Sequence, residues 1–470
     1  ALCMVSDTMN RGKQYMGTKP MESNQITEGV IWKQILLFFF PIMLGTLFQQ
    51  LYNTADAIVV GRFVGKEALA CVGGSSGQII NLVVGFFVGL SSGATVIIAR
   101  YYGARNKKDL NATLHTAVAL SIAGSIIITV LGLLLTPFML DLMHTPENVM
   151  AGSASYLRIY FGGIIFVFIY NVGSAILRAV GDSKRPLYYL IVCCFINIFL
   201  DVLLVVGLDL GVEGAAIATL ISQAVSAVLV VRALMQPGGM YLLEMKNIRF
   251  HRFLLKSIVT IGLPAGIQSV MYNISNIIIQ TSLNNLGTDT MAAYTAFGKM
   301  DSIYWMISGA FSIAITTFVG QNYGAGKYSR MKRSVFVCLF MDFIASILVS
   351  ALFLLFGSYI FRMFTQDPEV IKVGMKIIQV IAPSYVLFIF IEILSSALRG
   401  IGDVLIPMIM TCGGVCLLRI FWIFAVVPHI PGIQSILMSY PISWALTAVL
   451  FIIYYFVKQK KFYKSLPNEM

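Results

Sequence analysis

Long uncharged apolar stretches recur along the whole chain. Residues 35–52, 79–99, 113–140 and 187–200 carry no charged side chain. At about 1.5 Å of rise per residue, most of these stretches are long enough to cross roughly 30 Å of hydrocarbon as a helix. The pattern predicts an all-α, polytopic membrane protein with twelve transmembrane helices, at residues 33–58, 72–100, 112–140, 156–177, 186–208, 213–234, 254–284, 291–320, 333–361, 374–397, 405–428 and 433–457.

An internal repeat with a constant repeat spacing divides the chain. Leu177-Arg-Ala-Val-Gly-Asp182 returns as Leu398-Arg-Gly-Ile-Gly-Asp403, and Tyr102-Gly-Ala104 returns as Tyr323-Gly-Ala325, both at the same offset (398 − 177 = 221 and 323 − 102 = 221). Six helices per half give both halves the same orientation, so the repeat is parallel and the seam between the lobes is the expected substrate path. We expect a polar, disordered segment at 1–30, lobes at 31–234 and 254–458, a cytoplasmic linker at 235–253 and a basic tail at 459–470.

The net charge of +12 is explained by basic residues that collect on one side of the membrane. If the amino terminus is cytoplasmic, 25 of the 33 Lys and Arg residues fall on the cytoplasmic side. The positive-inside rule therefore predicts a multi-pass protein of the plasma membrane with both termini in the cytoplasm. The same distribution argues against a nucleic-acid partner and leaves the lipid bilayer as the surrounding medium. We expect a monomer.

Motifs for catalysis are weak. Residues 73–77 fit GxSxG, but they open a membrane helix rather than a strand-to-helix turn. The four His residues lack HExxH spacing, no GxxxxGK loop occurs, and the seven Cys residues are scattered. We therefore predict no enzyme activity and no cofactor. Any energy-requiring transport must then be driven by an ion gradient. Gly85, Gly89 and Gly93 in the second helix form two GxxxG steps that favour close helix packing.

Polar side chains at similar depth in three helices of the first half form the candidate ion site. Asp56, Asp201 and Thr219 lie five to eight residues from the outer ends of their helices, and Asn197 lies one turn deeper than Asp201 on the same face. Their hard oxygen donors suit Na+, while desolvation and mutual repulsion would favour a protonated carboxylate and a proton switch. The alternative is that both acids only satisfy polar groups where helices bend. The second half has no matching set.

A second group of candidates is less defined. Glu392 stands where Asn171 stands in the first half (392 − 221 = 171). It could be a second proton site, a contact for a cationic substrate, or a hydrogen-bonded core residue. We add Tyr52 and Gln268 as further candidates for a substrate or second proton position.

Several ordered motifs resemble the multidrug and toxic compound extrusion (MATE) family. They are Pro41 with Leu51-Tyr-Asn-Thr-Ala-Asp56, Val60-Gly-Arg-Phe-Val-Gly65, Ala68-Leu-Ala-Cys-Val-Gly73, Tyr102-Gly-Ala104 and Leu177-Arg-Ala-Val-Gly-Asp182. The resemblance implies twelve helices in two lobes and efflux of cationic, amphiphilic compounds in exchange for Na+ or H+. It is nearer to the DinF-like branch, whose cation-site pattern matches Asp56, Asn197, Asp201 and Thr219. The NorM-like branch has an acid in the seventh helix, where this chain has Gln268.

We therefore expect a secondary antiporter that exports cationic or amphiphilic drugs by alternating access. The alternatives are a lipid-linked oligosaccharide flippase, which would need a strongly cationic central cavity, and a membrane scaffold or receptor that transports nothing. Arg158, Lys299 and Arg419 are the mid-helix cations available to a flippase. The expected coupling ion is Na+ or H+.

Overall fold

The computed structural model describes residues 25–465, and helices dominate this range. Eleven of these helices are long and apolar enough to cross a membrane, and a bent pair of shorter helices forms one more span. The prediction of an all-α protein with twelve spans is confirmed. The predicted segment 1–30 and the end of the basic tail lie largely outside the described residues.

The spans run in order along the chain and are numbered here from first to twelfth. Their helices are Ile31–Val59; Ser75–Gly103; Lys107–Leu142; Glu147–Gly162 with Ile164–Ala179; Lys184–Asp201; Gly211–Leu234; Arg252–Asn284; Thr288–Gly324; Tyr328–Phe361; Pro368–Gly400; Leu405–Thr411 with Leu418–Ala425; and Ile433–Ser465. Short helices occupy Gln25–Glu28, Lys66–Gly73 and Met245–Asn247. Three spans also contain a π-helical segment, at Val60–Val64, Val202–Gly207 and Cys412–Leu417.

Capping side chains define the start of the third and tenth spans. The Asn106 side chain accepts a hydrogen bond from the Asp109 N–H at 3.2 Å, and the third span begins at Lys107, five residues before its predicted start at 112. Asp367 caps Glu369 in the same way, with Pro368 in the first turn of the tenth span. A sharp bend of 51° interrupts the fourth span at Gly163.

For orientation, the side predicted to be cytoplasmic is called inner and the opposite side outer. The second and eighth spans cross at their inner ends in a symmetric way. A Cβ atom at Gly103 would collide with the Gln321 carbonyl, and one at Gly324 would collide with the Arg100 carbonyl. Both pairs of partners obey the repeat spacing (321 − 100 and 324 − 103 are both 221). The two lobes are therefore related by an approximate twofold axis along the bundle.

Hydrogen bonds across the seam follow the same symmetry. Arg100 Nε donates to the Gly400 carbonyl at 3.3 Å, and Gln321 Nε2 donates to the Ala179 carbonyl at 2.7 Å. Gly400 and Ala179 are again related by the repeat spacing (400 − 179 = 221). Each lobe thus uses its second span to bind the end of the fourth span of the other lobe.

Glycines bring the second and seventh spans together from mid-helix toward the inner side. A Cβ atom at Gly89 would lie 2.6 Å from the Gly266 Cα, and one at Gly93 would collide with the Ile258 carbonyl. One helical turn nearer the outer side, Gly85 faces Ser269. The GxxxG steps of the second span therefore form a contact between lobes, which holds the seam shut from mid-helix inward.

Candidate functional site

Asp56 and Thr219 meet inside the first lobe. The Thr219 hydroxyl donates to Asp56 Oδ2 at 3.3 Å, across the first and sixth spans. The Asp56 side chain is only 5% exposed. The Ala215 carbonyl of its own helix lies 3.0 Å from the same hydroxyl, so the single Thr219 proton is shared between the two acceptors. Thr219 therefore faces the Asp56 carboxylate from the sixth span.

Asp201 and Asn197 complete this group from the fifth span. Both side chains are fully buried at 0% exposure, and both lie close enough to Asp56 to interact with its carboxylate. Within residues 25–465, neither Asp201 oxygen and neither amide atom of Asn197 makes a hydrogen bond. The structure therefore brings together all four predicted residues of the ion site and leaves both Asp201 oxygens and the Asn197 amide without a hydrogen-bond partner among the described residues.

Both carboxylates lie within about one helical turn of the start of a π-helical segment. Asp56 lies four residues before Val60–Val64, and Asp201 immediately precedes Val202–Gly207. A π-helical turn widens the helix and shifts its hydrogen bonds from the fourth to the fifth residue, and such turns are frequent at functional sites. The sequence offers no evident signal for these turns.

Two buried carboxylates in contact cannot both carry an uncompensated charge. Desolvation and mutual repulsion each cost free energy inside a membrane protein. No Lys or Arg within residues 25–465 forms an ion pair with either acid, and no cluster of three or more His, Cys, Asp or Glu side chains there is arranged for a metal. Among the described residues, the two acids therefore have no fixed counter-charge.

A second polar pair lies one helical turn deeper. Gln223 Nε2 donates to the Tyr52 hydroxyl at 3.2 Å. Tyr52 precedes Asp56 by four residues and Gln223 follows Thr219 by four, so the two pairs stack along the same two helices. Gln223 was missed from the sequence, although its spacing from Thr219 pointed to it. Tyr156 was also missed, and it interacts electrostatically with both acids.

The remaining candidates lie elsewhere. Asn171 donates to the Val167 carbonyl of its own helix at 2.8 Å. Gln268 is buried in the second lobe beside Arg399. Glu392 is half-buried there and interacts electrostatically with Arg399 and Asp342. The structure thus joins Tyr52 to the ion site but does not bring Asn171 together with Gln268 and Glu392.

Exposed polar side chains mark a cleft between the lobes on the outer side. The first, second, seventh and eighth spans carry them from mid-helix to the outer end: Gln49, Gln50, Asn53, Gln78, Asn81, Asn276, Gln280, Thr295 and Lys299. Amides facing lipid would each cost free energy, whereas amides lining water do not. The same four spans touch along their inner halves. We therefore infer a water-filled cleft that opens to the outer side.

Lipid-facing surfaces have a different composition. Leu134, Phe138, Phe199 and Phe424 are exposed by 63–72% on the third, fifth and eleventh spans. These apolar side chains match the hydrocarbon around them. The contrast supports the assignment of the polar, exposed side chains to the cleft.

An inner seal of polar contacts closes the opposite end. Besides the symmetric hydrogen bonds of Arg100 and Gln321, the guanidinium of Arg100 lies 4.9 Å from the ring centre of Tyr323. Arg330 of the second lobe donates to the Ile26 carbonyl at 3.0 Å. Glu28 pairs with Arg105 of the first lobe at 3.8 Å. The short helix before the first span therefore contacts both lobes on the inner side.

Comparisons with known proteins agree with this architecture. The family model described as MatE matches residues 41–203 and 264–424. A "Probable multidrug resistance protein YoeA" from Bacillus subtilis is 29% identical over 94% of this chain and 97% of its own length. A "Probable multidrug resistance protein NorM" from Thermotoga maritima is 27% identical over 81% of this chain and 82% of its own length. A solved structure described as the outward-facing conformation of a multidrug resistance MATE family transporter superposes with a TM-score of 0.87, at 22% identity, over 94% of this chain and 98% of that one.

Proposed function

This chain belongs to the MatE family, and from that premise we propose that it is a drug efflux transporter driven by cation exchange. The cargo is a cationic or amphiphilic small molecule, and the driving ion is Na+ or H+. One observation carries the proposal: Asp56 and Asp201 lie together, 5% and 0% exposed, and no Lys or Arg in the described part of the chain pairs with either. The cell membrane is the proposed location, with both termini in the cytoplasm and a monomer as the working unit.

The ion drives transport through a difference in affinity between two conformations. A ligand shifts an equilibrium only as far as its affinities for the two states differ. Asp56 lies on the first span and Asp201 on the fifth. A cation bound between the two carboxylates therefore links these two spans. Bending of these spans at their π-helical segments would change the distance between the carboxylates and hence the cation affinity. Cation entry from the outer side then favours the state that releases cargo outward.

The cleft supplies a path for the cargo. Its exposed side chains are mainly uncharged amides, which can hydrogen-bond to varied amphiphilic molecules without fixing one charge pattern. The inner seal and the open outer side correspond to the outward-facing state of alternating access. Transport then requires a second state in which the glycine contact between the second and seventh spans opens.

A flippase for a lipid-linked diphosphate fits the structure less well. Such a cargo needs several cations in the cleft. Arg419 is only 2% exposed and packs against aromatic rings of the second lobe. Arg158 is exposed on the fourth span, away from the four spans that line the cleft. Lys299 is therefore the one member of the predicted set of three on a cleft-lining span.

Reconstituted vesicles test the proposal. Efflux of a fluorescent cationic dye is measured under a Na+ gradient and under a pH gradient, each imposed alone. Asp56→Asn keeps the shape of the side chain and removes its charge, so we expect gradient-driven efflux to fall at least tenfold while dye binding remains. Asp342→Asn is the matched control, because Asp342 is also a buried aspartate but lies in the second lobe beside Ser308. Gradient-driven efflux at the wild-type rate in Asp56→Asn would refute the proposal.

A further inference from the structure

The internal repeat gives the ion site a structural counterpart in the second lobe. The sixth and twelfth spans align at the repeat spacing (432 − 211 = 221): Gly211 begins the helix of the sixth span, Gly432 directly precedes that of the twelfth, and both have positive φ, +55° and +139°. In this register Thr219 matches Tyr440. The first and seventh spans align through Pro41 and Pro264, a spacing of 223, so Asp56 matches Ile279.

A π-helical segment sets the register of the fifth and eleventh spans. Pro186 and Pro407 align at the repeat spacing (407 − 186 = 221). In the fifth span the π-helical segment follows Asp201, but in the eleventh it occupies Cys412–Leu417, before the matching position. A π-helical turn accommodates one extra residue, so the spacing beyond it becomes 222. Asn197 therefore matches Arg419 (197 + 222), and Asp201 matches Ile423 (201 + 222).

The counterpart has lost both acids and gained a fixed cation. Ile279 and Ile423 replace the two carboxylates and are 1% and 6% exposed. Arg419 is 2% exposed, and its guanidinium lies 4.1 Å from the ring centre of Tyr440 and 5.1 Å from that of Trp444. Its Nε donates to Ser443 at 3.0 Å. Tyr440 stands in the place of Thr219 and supplies a π face where the threonine supplies a hydroxyl.

Asp301 is an acidic residue near this buried charge. Asp301 interacts electrostatically with Arg419. Its carboxylate also accepts hydrogen bonds from the Tyr385 hydroxyl and, at 2.6 Å, from Trp305 Nε1. An arginine in a protein keeps its proton. The charge at this position therefore persists throughout a transport cycle.

We propose that Arg419 is a permanently bound internal cation, which fills the place in the second lobe that the mobile coupling ion fills in the first. This inference rests on the proposed ion exchange at Asp56 and Asp201. Because Arg419 cannot leave or deprotonate, the second lobe keeps one charge state, and cation exchange is confined to the first lobe. Arg419 is a positioning residue, since its fixed charge acts on Asp301 and excludes a second mobile cation.

Cation-dependent thermal stability of the purified full-length protein tests this proposal. The unfolding midpoint is measured with increasing Na+ at fixed pH and across pH at fixed Na+. Asp56→Asn/Asp201→Asn removes the first-lobe site, and we expect its midpoint to be insensitive to Na+. A Na+-dependent rise that survives in this double variant would overturn the proposal, because the second lobe would then bind a mobile cation.

Replacing Arg419 in that double variant gives the converse test. Arg419→Gln leaves Asp301 without its cationic neighbour, so we expect a cation-dependent rise of about 2 °C or more, by Na+ or by acid, to appear. Arg419→Lys keeps the charge and should show no such rise. If Arg419 only packed against its aromatic neighbours, both replacements would lower the midpoint without any cation dependence, and the proposal would be wrong.

These measurements also separate the two proposals. If Na+ and pH shift the unfolding midpoint of the wild type and of Asp56→Asn/Asp201→Asn equally, the proposed function fails. The effect of Arg419→Gln is measured relative to Asp56→Asn/Asp201→Asn. Its outcome therefore does not depend on whether the wild type responds to cations. Should Arg419→Gln not fold, the double variant alone still decides whether the second lobe binds a mobile cation.

Discussion

Replacing Gly89 with alanine tests whether the contact between the second and seventh spans keeps the inner side shut. An alanine Cβ at this position would lie 2.6 Å from both the Cα and the N of Gly266. Non-bonded carbon atoms rest about 3.5–4.0 Å apart, so the two backbones must separate by roughly 1 Å. Both neighbours are backbone atoms, so a change of side-chain rotamer cannot relieve the overlap.

The size of the effect follows from the cost of overpacking. Inserting one carbon into a close-packed contact costs about 1–3 kcal/mol. Alanine also favours the helix over glycine by about 1 kcal/mol, but this gain is the same in both conformations and cancels. If the second and seventh spans part in the inward-open state, the ratio of outward-open to inward-open protein should fall about 5- to 150-fold.

Distances between spin labels on the outer side measure this ratio. Cysteines introduced at Glu147 and Asp367, exposed sites at the outer ends of the fourth and tenth spans, carry the labels. We expect Gly89→Ala to move the distribution toward shorter distances as the outer cleft closes. Gly309→Ala is the control, because a Cβ atom there would meet no atom within 4 Å. If both variants give the wild-type distribution, the glycine contact does not set the conformational balance.

Two substitutions beside the ion site separate ion binding from packing. Thr219→Val removes the hydroxyl that lies 3.3 Å from Asp56, and the loss of about 1 kcal/mol should weaken cation binding roughly fivefold, as measured by Na+ or H+ titration of dye release. A wild-type titration midpoint would show that this hydroxyl does not contribute to the site. Tyr52→Phe leaves the buried Gln223 amide without its acceptor, at a cost of about 1–3 kcal/mol, and should lower the unfolding temperature at every cation concentration. An unchanged melting curve in detergent would contradict that expectation.

Much of the ion site could be predicted because its spacing is local. Asn197 and Asp201 lie four residues apart, and helical geometry alone puts them on one face of the fifth span. Their depth, and that of Asp56 and Thr219, follows from counting residues from the helix ends. The contact between Thr219 and Asp56 could not be derived in this way, because residue spacing does not say which spans are neighbours.

Other features needed the folded chain. Glu392 and Asn171 occupy equivalent positions of the repeat, yet Asn171 bonds to its own backbone while Glu392 lies near Arg399 and Asp342. The equivalence of Arg419 and Asn197 depends on a π-helical turn that shifts the register by one residue. A comparison at constant spacing would have paired Arg419 with Ile198.

The sequence by itself determined the twelve spans and the duplication, because a run of apolar residues needs only the bilayer to become a helix and the repeat motifs recur at constant spacing. Tertiary structure alone decided which helices touch, and so where the cleft opens and where the charges meet. Helix formation depends on neighbours within one turn, whereas the seal at Gly89 and Gly266 and the cation at Arg419 depend on residues far apart in the chain. Those contacts depend on how whole helices pack, which local residue order does not specify.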